Sequence, residues 1–189
     1  MGWHGHLTFS FELGTKPLQL PNLKEDCSRC AALCCLAYPF EAEEDFGFLK
    51  RADSPCPNLD KGFRCTIHAD LASKGFGGCQ AYSCAGAGQR VTQILFEGDT
   101  WQEDPDLLHH MTYALRVVQP IHEALLILQE IKALDLPSDL LRQCAALTRS
   151  LCPDNPRSVR DFEADQVQDA LAELPAFVET IAPFAMNSA

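Results

Sequence analysis

The spacing of apolar residues changes character along this chain. From Leu7 to Leu13 apolar and polar side chains alternate strictly, which predicts a short strand, broken off by Pro17 and Pro21. Between residues 26 and 96 no period persists. Asp26 is placed to cap a short helix carrying Cys27, Cys30, Cys34 and Cys35. Residues 37–64 are rich in Pro, Gly, Asp and Glu and predict loop. A second short helix fits 66–74 with Gly75 as its stop, Phe76-Gly77-Gly78 predicts a turn, and 87–96 predict a helix or strand.

Beyond Trp101 the period becomes helical. Leu107, Leu108, Met111, Ala114, Leu115, Val118, Ile121, Leu125, Leu128 and Ile131 recur at threes and fours, one stripe of a long helix over 107–134 that Pro120 kinks or divides. A second helix fits 138–151, with Leu140, Leu141, Cys144, Leu147 and Leu151 on its apolar face. A third fits 159–184, opened by a Ser158/Asp161 capping box and bent at Pro175, burying Phe162, Leu171, Leu174, Phe177, Val178 and Ile181. The expected fold is mainly α. Residues 1–101 form an irregular, metal-stabilised cysteine-rich module with a short N-terminal strand, packed on a helical region of about three helices over 102–189.

The metal enters through the cysteines. Eight of the ten fall in the window Cys27, Cys30, Cys34, Cys35, Cys56, Cys65, Cys79 and Cys84. Aliphatic residues are sparse there, and a small module without a core of its own needs disulfides or metal. No signal peptide or bilayer-length apolar run is read in the sequence, so the expected location is cytoplasmic, where thiols stay reduced and metal is favoured. A helix would set Cys27, Cys30 and Cys34 one turn apart on one side. Cys34 and Cys35 point about 100° apart on a helix. Either one of them packs without ligating, or the site is polynuclear. Eight thiolates could serve two zinc ions or one or two iron–sulfur clusters.

Charge excludes some partners. Residues 1–90 carry 9 basic and 10 acidic side chains, and residues 91–189 carry 6 and 16, giving a chain of net charge −11. That is a poor footprint for nucleic acid or anionic membranes. No partner is expected from either, whereas the acidic helices offer a surface to a protein.

The motif series Asp26-Cys-Ser-Arg-Cys-Ala-Ala-Leu-Cys-Cys35, Pro55-Cys-Pro-Asn-Leu59, Phe63-Arg-Cys-Thr-Ile-His68, Gly75-Phe-Gly-Gly-Cys79 and Cys84-Ala-Gly-Ala-Gly-Gln-Arg-Val91 resembles a cysteine-rich domain. That domain heads many actinobacterial pentapeptide-repeat proteins. More remotely the series is similar to the YkgJ-type zinc- or iron-chelating family with its CxxCxxCC signature. The resemblance covers residues 26–101 and implies a bound metal, without an activity. This chain has three residues between Cys30 and Cys34 where the remoter signature has two, and it carries no tandem pentapeptides.

His68, three residues after Cys65, is the histidine to add as a ligand or as a hydrogen-bonding neighbour of one. His4 and His6 share a strand face at the N-terminus. His109, His110 and His122 are expected at the solvent or the core edge, and Cys144 in packing. Gly86-Ala-Gly88-Gln-Arg90 predicts a tight turn beside the metal, with anion binding the lesser reading. Glu41, Glu43, Glu44 and Asp45 read as a solvated loop. Three functions stay open. The first is a cysteine-ligated metal protein in electron transfer, sensing or metal handling, with the balance tipped to an iron–sulfur cluster by the Cys34-Cys35 pair and Cys56-Pro57. The others are a structural-zinc interaction module and a metalloenzyme of unspecified reaction.

Overall fold

A computed structural model describes residues 18–42 and 45–186. The expected strand over 7–13, the His4/His6 pair, and Glu43 and Glu44 lie outside the described residues. The chain is mainly helical, with two isolated antiparallel bridges among the described residues, Phe40–Lys50 and Leu59–Cys65.

The C-terminal half follows its apolar stripe. Helix α4 (Leu107–Lys132) buries Met111, Ala114, Leu115, Val118, Ile121, Leu125, Leu128 and Ile131 along one side. Pro120 lies inside it without dividing it. The ring is exposed, so water can serve the Arg116 carbonyl that lacks its helical N–H. Helix α5 (Ser138–Ser150) packs on α4 through Cys144 and Leu147. The third helix begins later than its capping box implies. Ser158 and Asp161 cap only a 3₁₀ turn, Val159–Asp161, which delivers Phe162 to the core, and helix α6 starts afresh at Asp165 and runs to Met186. On α6 Leu174, Phe177 and Ile181 are buried as expected, whereas Val178 is 38% exposed.

The N-terminal half is short turns. The single helix expected from Asp26 through Cys35 is two pieces. Asp26 caps a 3₁₀ turn, Cys27–Arg29, by accepting from Ser28 N at 3.0 Å. The backbone is then extended at Cys30 and left-handed at Ala32 (φ 52°), and helix α1 occupies only Leu33–Ala37. Distant side chains impose that break: Ala31 N donates to Thr92 Oγ1 at 3.1 Å, and Ala31 O accepts from Trp101 Nε1 at 2.7 Å. Over 66–74 the expected helix is reduced to a 3₁₀ turn, His68–Asp70, although Gly75 does stop it with φ 78°. The expected turn at Gly77-Gly78 is instead the start of helix α2 (Gly77–Ala81). Residues 87–95 are helical, α3 (Ala87–Arg90) running into a π turn, Val91–Leu95. Five non-glycine residues of this half among those described, Ala32, Asp53, Phe63, Ala85 and Glu97, hold left-handed backbone.

One core joins the halves. Leu33, Leu36 and Ala37 of α1, together with Ala87, Val91 and Trp101, belong to the same buried cluster as α4, α5 and α6. A polar clamp repeats the connection, because the hydroxyls of Tyr38 and Tyr82 both donate to Gln119 Oε1 on α4, at 2.7 and 2.6 Å. The residues that follow α1 and α2 are thus tied to one point on the long helix. No helix among the described residues is long and apolar enough to cross a membrane.

Candidate metal centre

The eight clustered cysteines arrive on separate short pieces of chain. Cys27 lies in the first 3₁₀ turn, Cys30 at its extended end, Cys34 and Cys35 in α1, and Cys79 in α2. Cys56 N donates to Cys35 O at 3.0 Å, Cys65 pairs with Leu59, and Cys84 O accepts from Ala87 N at 2.8 Å as α3 begins. Cys27 is exposed and the other seven are half-buried. All are free thiols.

Mutual electrostatics sort the eight into two quartets. In the first, burial pushes Cys30 up to about 11, and charge on Cys84 and Cys27 pushes the same way. Cys27 is raised by burial, then by Cys84 and by Cys35. Cys34 is raised by the hydrogen bond its thiol gives Cys35, then by burial, Cys30 and Cys84. In the second, burial raises Cys56, Cys65 and Cys79, the last to about 11, and charge on Cys35 raises all three further. Charge on Cys65 also acts on Cys56, and both act on Cys79. Grouped by these influences the eight make two overlapping quartets, Cys27, Cys30, Cys34, Cys84 and Cys35, Cys56, Cys65, Cys79, with charge on Cys35 acting on Cys27 and Cys34 as well. Between Cys34 and Cys35 the contact is direct, the Cys34 thiol donating to Cys35 with 3.9 Å between the sulfurs. That contact holds the Cys35 thiol below its ordinary pKa, aided by the nearby Lys50 ammonium and opposed by burial.

Among the described residues no three His, Cys, Asp or Glu side chains stand close enough, as placed, to hold one ion. His68 is exposed at the start of its 3₁₀ turn. Cys144 and Cys152 are buried away from the quartets, Cys144 with its thiol directed at Leu128 O, 3.5 Å away. His109 and His110 are exposed, and Glu41 and Asp45 also lie at the surface.

Three supporting residues escape the sequence reading. Lys50, 5% exposed, donates through Nζ to the carbonyls of Leu36, Tyr38 and Arg51 at 2.9, 2.7 and 3.1 Å. It closes the C-terminal end of α1 and sets a cation beside the second quartet. No local pattern marks a loop lysine for this role. Gly88 is the second: a Cβ there would stand 2.7 Å from Cys30 Sγ and 3.8 Å from Cys84 Sγ, so two sulfurs of the first quartet converge on a bare stretch of α3. The glycine pair is visible in the sequence, and Gly86 does make the expected tight turn, at φ 76° with the Asn22 carbonyl 2.2 Å from where its Cβ would be.

His122 is the third, and it corrects an expectation. It is fully buried, not at the solvent or core edge. Its Nδ1 lies 2.7 Å from Ala85 O, an atom that can only accept, so Nδ1 carries the proton and Nε2 accepts from Arg90 Nη1 at 3.1 Å. The signal was present, since His122 follows Val118 by four on the stripe. Burial pushes its pKa down to about 4, against the Ala85 hydrogen bond and with the Arg90 charge adding to the depression.

No protein-family model matches the chain, and no solved structure matches it. It is similar to a curated protein of Bacillus subtilis (strain 168), "Uncharacterized protein YybG", with 43% identity over 115 residues, 61% of this chain and 41% of that one. The chain therefore spans about two fifths of its relative's length.

Proposed function

We propose that residues 27–84 hold metal at two four-cysteine sites, one per quartet, and that the protein is a metal-binding protein whose centre carries zinc or iron–sulfur clusters. The observation that carries this reading is eight free thiols on the short turns of one module, with the Cys34 and Cys35 sulfurs 3.9 Å apart and those of Cys30 and Cys84 converging at Gly88, enough for two sets of the four thiolates that zinc and cubane clusters take. The fit is supported by Gly88, where any side chain would occupy the space Cys30 and Cys84 share. It is also supported by the resemblance to cysteine-rich metal-chelating domains.

Four protein ligands per site leave no position for substrate, which favours structural or electron-transfer duty over Lewis-acid catalysis. The sites also lie where the fold needs them. The cysteine-bearing turns have few aliphatic residues of their own, and metal would supply the cross-links that hydrophobic burial cannot. The test is elemental and sulfide analysis of protein purified both anaerobically and in air. Two zinc ions per chain, colourless, would establish structural zinc. Brown protein with labile sulfide would establish iron–sulfur. Less than one metal per chain under both conditions would overturn the proposal.

A further inference from the structure

A cavity of about 470 Å³ opens beside the cysteine module, between residues 18–22, the π turn and the 152–157 turn. Arg29, Arg90 and Arg157 all line it, with Asp154 as the acidic member of the lining. In a chain of net charge −11, three cations against one carboxylate is a local reversal of sign. Ion pairs among the described residues join Asp53 to Arg116 and to His109, so none of the three arginines is paired to a carboxylate there.

Arg90 is the fixed member. Its guanidinium lies over the Phe162 ring at 4.8 Å and gives one hydrogen bond to neutral His122, which leaves its other N–H groups and its full charge for the cavity. Arg29 and Arg157 are exposed at the mouth. The rest of the wall is mixed. Ile94, 50% exposed, and Leu20, 39% exposed, present apolar surface, and Gln93 has a carboxamide held at Arg29 O, 3.0 Å away.

We infer that this cavity binds a small organic phosphate, its dianionic phosphoryl group held among Arg29, Arg90 and Arg157 and its apolar part against Leu20 and Ile94. Arginine forks suit phosphoryl oxygens, and a dianion balances a lining of net charge +2 where a single carboxylate would not. The site adjoins the first quartet, since Arg29 lies between Cys27 and Cys30, so metal content is measured for each variant and the Arg157 variant, on the far turn, is the decisive one.

The test is calorimetric titration of the full chain with phenyl phosphate at low ionic strength. Saturable binding is expected, tighter than for inorganic phosphate because the ring adds apolar burial. Arg29→Glu and Arg157→Glu should each weaken it roughly ten- to a hundredfold. Both side chains are exposed, and circular dichroism checks that each variant keeps its fold. Arg142→Glu, the same charge change on the exposed part of α5, should leave binding unaltered. The proposal is overturned by absence of saturable binding, by equal affinity for inorganic phosphate, or by an equal loss in Arg142→Glu.

Discussion

The backbone of Gly88 runs so close to Cys30 that a methyl group added at Gly88 would stand 2.7 Å from the cysteine sulfur. Alanine is the better helix former by about 1 kcal/mol, so local propensity alone favours Gly88→Ala. Overpacking at this contact costs about 1–3 kcal/mol and wins. Gly88→Ala should lower the urea midpoint and loosen metal at the first quartet. A variant as stable as the parent, with full metal content, would show that the contact is slack.

The two quartets make a stoichiometric prediction. Cys30→Ser should remove the metal of the first site and keep the second, and Cys79→Ser should do the reverse. Each would carry half the parent's metal, and the double variant none. Cys144→Ser, outside both quartets, should retain all of it at an ordinary buried-polar cost of about 1–3 kcal/mol. Metal-to-protein ratios from native mass spectrometry decide the matter, and a ratio unchanged in Cys79→Ser would dissolve the second site.

Lys50→Met would keep the length of the side chain and delete the ammonium that three carbonyls share. The carbonyls of Leu36 and Tyr38 would lose this donor at the end of α1, at a cost of about 1–3 kcal/mol. Metal at the second quartet should weaken more than at the first, since Lys50 offsets charge near Cys35 and Cys56. Competition with a chromophoric chelator measures both losses, and equal loss at the two sites would contradict the assignment.

His122 predicts an acid response. Its pKa is about 4 when folded, against an ordinary value of 6.5. The neutral form is the one the fold holds, so its stability contribution is complete above pH 6.5. It is lost as pH falls through 4, and the whole effect is of order 3 kcal/mol. His122→Gln should be less stable at neutral pH, with a flatter decline between pH 6.5 and 4. Parallel stability curves for parent and variant would show that the histidine does not titrate in that window.

Which parts of this architecture could be read beforehand follows from how local their causes are. The stripe from Leu107 to Ile131 repeats over seven turns of helix, enough to outweigh the single proline at position 120. The break at Cys30–Ala32 has the opposite character: it is held by Thr92 and Trp101, far along the chain, and nothing between Asp26 and Cys35 announces it. Sequence spacing therefore found all eight clustered cysteines and placed four of them on one helix that the fold breaks in two. It also left open whether Cys34 and Cys35 serve one site. What bears on that is Cys56, Cys65 and Cys79, whose interactions with Cys35 arise only in the folded loops. Lys50, and the Arg29 and Arg157 that join Arg90 at the cavity, were illegible for the same reason.

The left-handed residues Ala32, Asp53, Phe63 and Ala85 bear on the order of events during synthesis. A non-glycine residue in that conformation costs roughly 1–2 kcal/mol, a cost no neighbour in sequence offsets. In the finished fold Leu33 and Leu36 pack in one core with α4, and Tyr38 bonds Gln119 on it, so these turns lack those partners until α4 is made. Ribosomes deliver the N-terminus first, at about 5–20 residues per second, and about a hundred residues separate Cys27 from the end of α4. Each newly made chain therefore holds its thiols out for on the order of ten seconds before their packing partner arrives. In that interval the cysteines are without those contacts, and the half that carries them is the half made first.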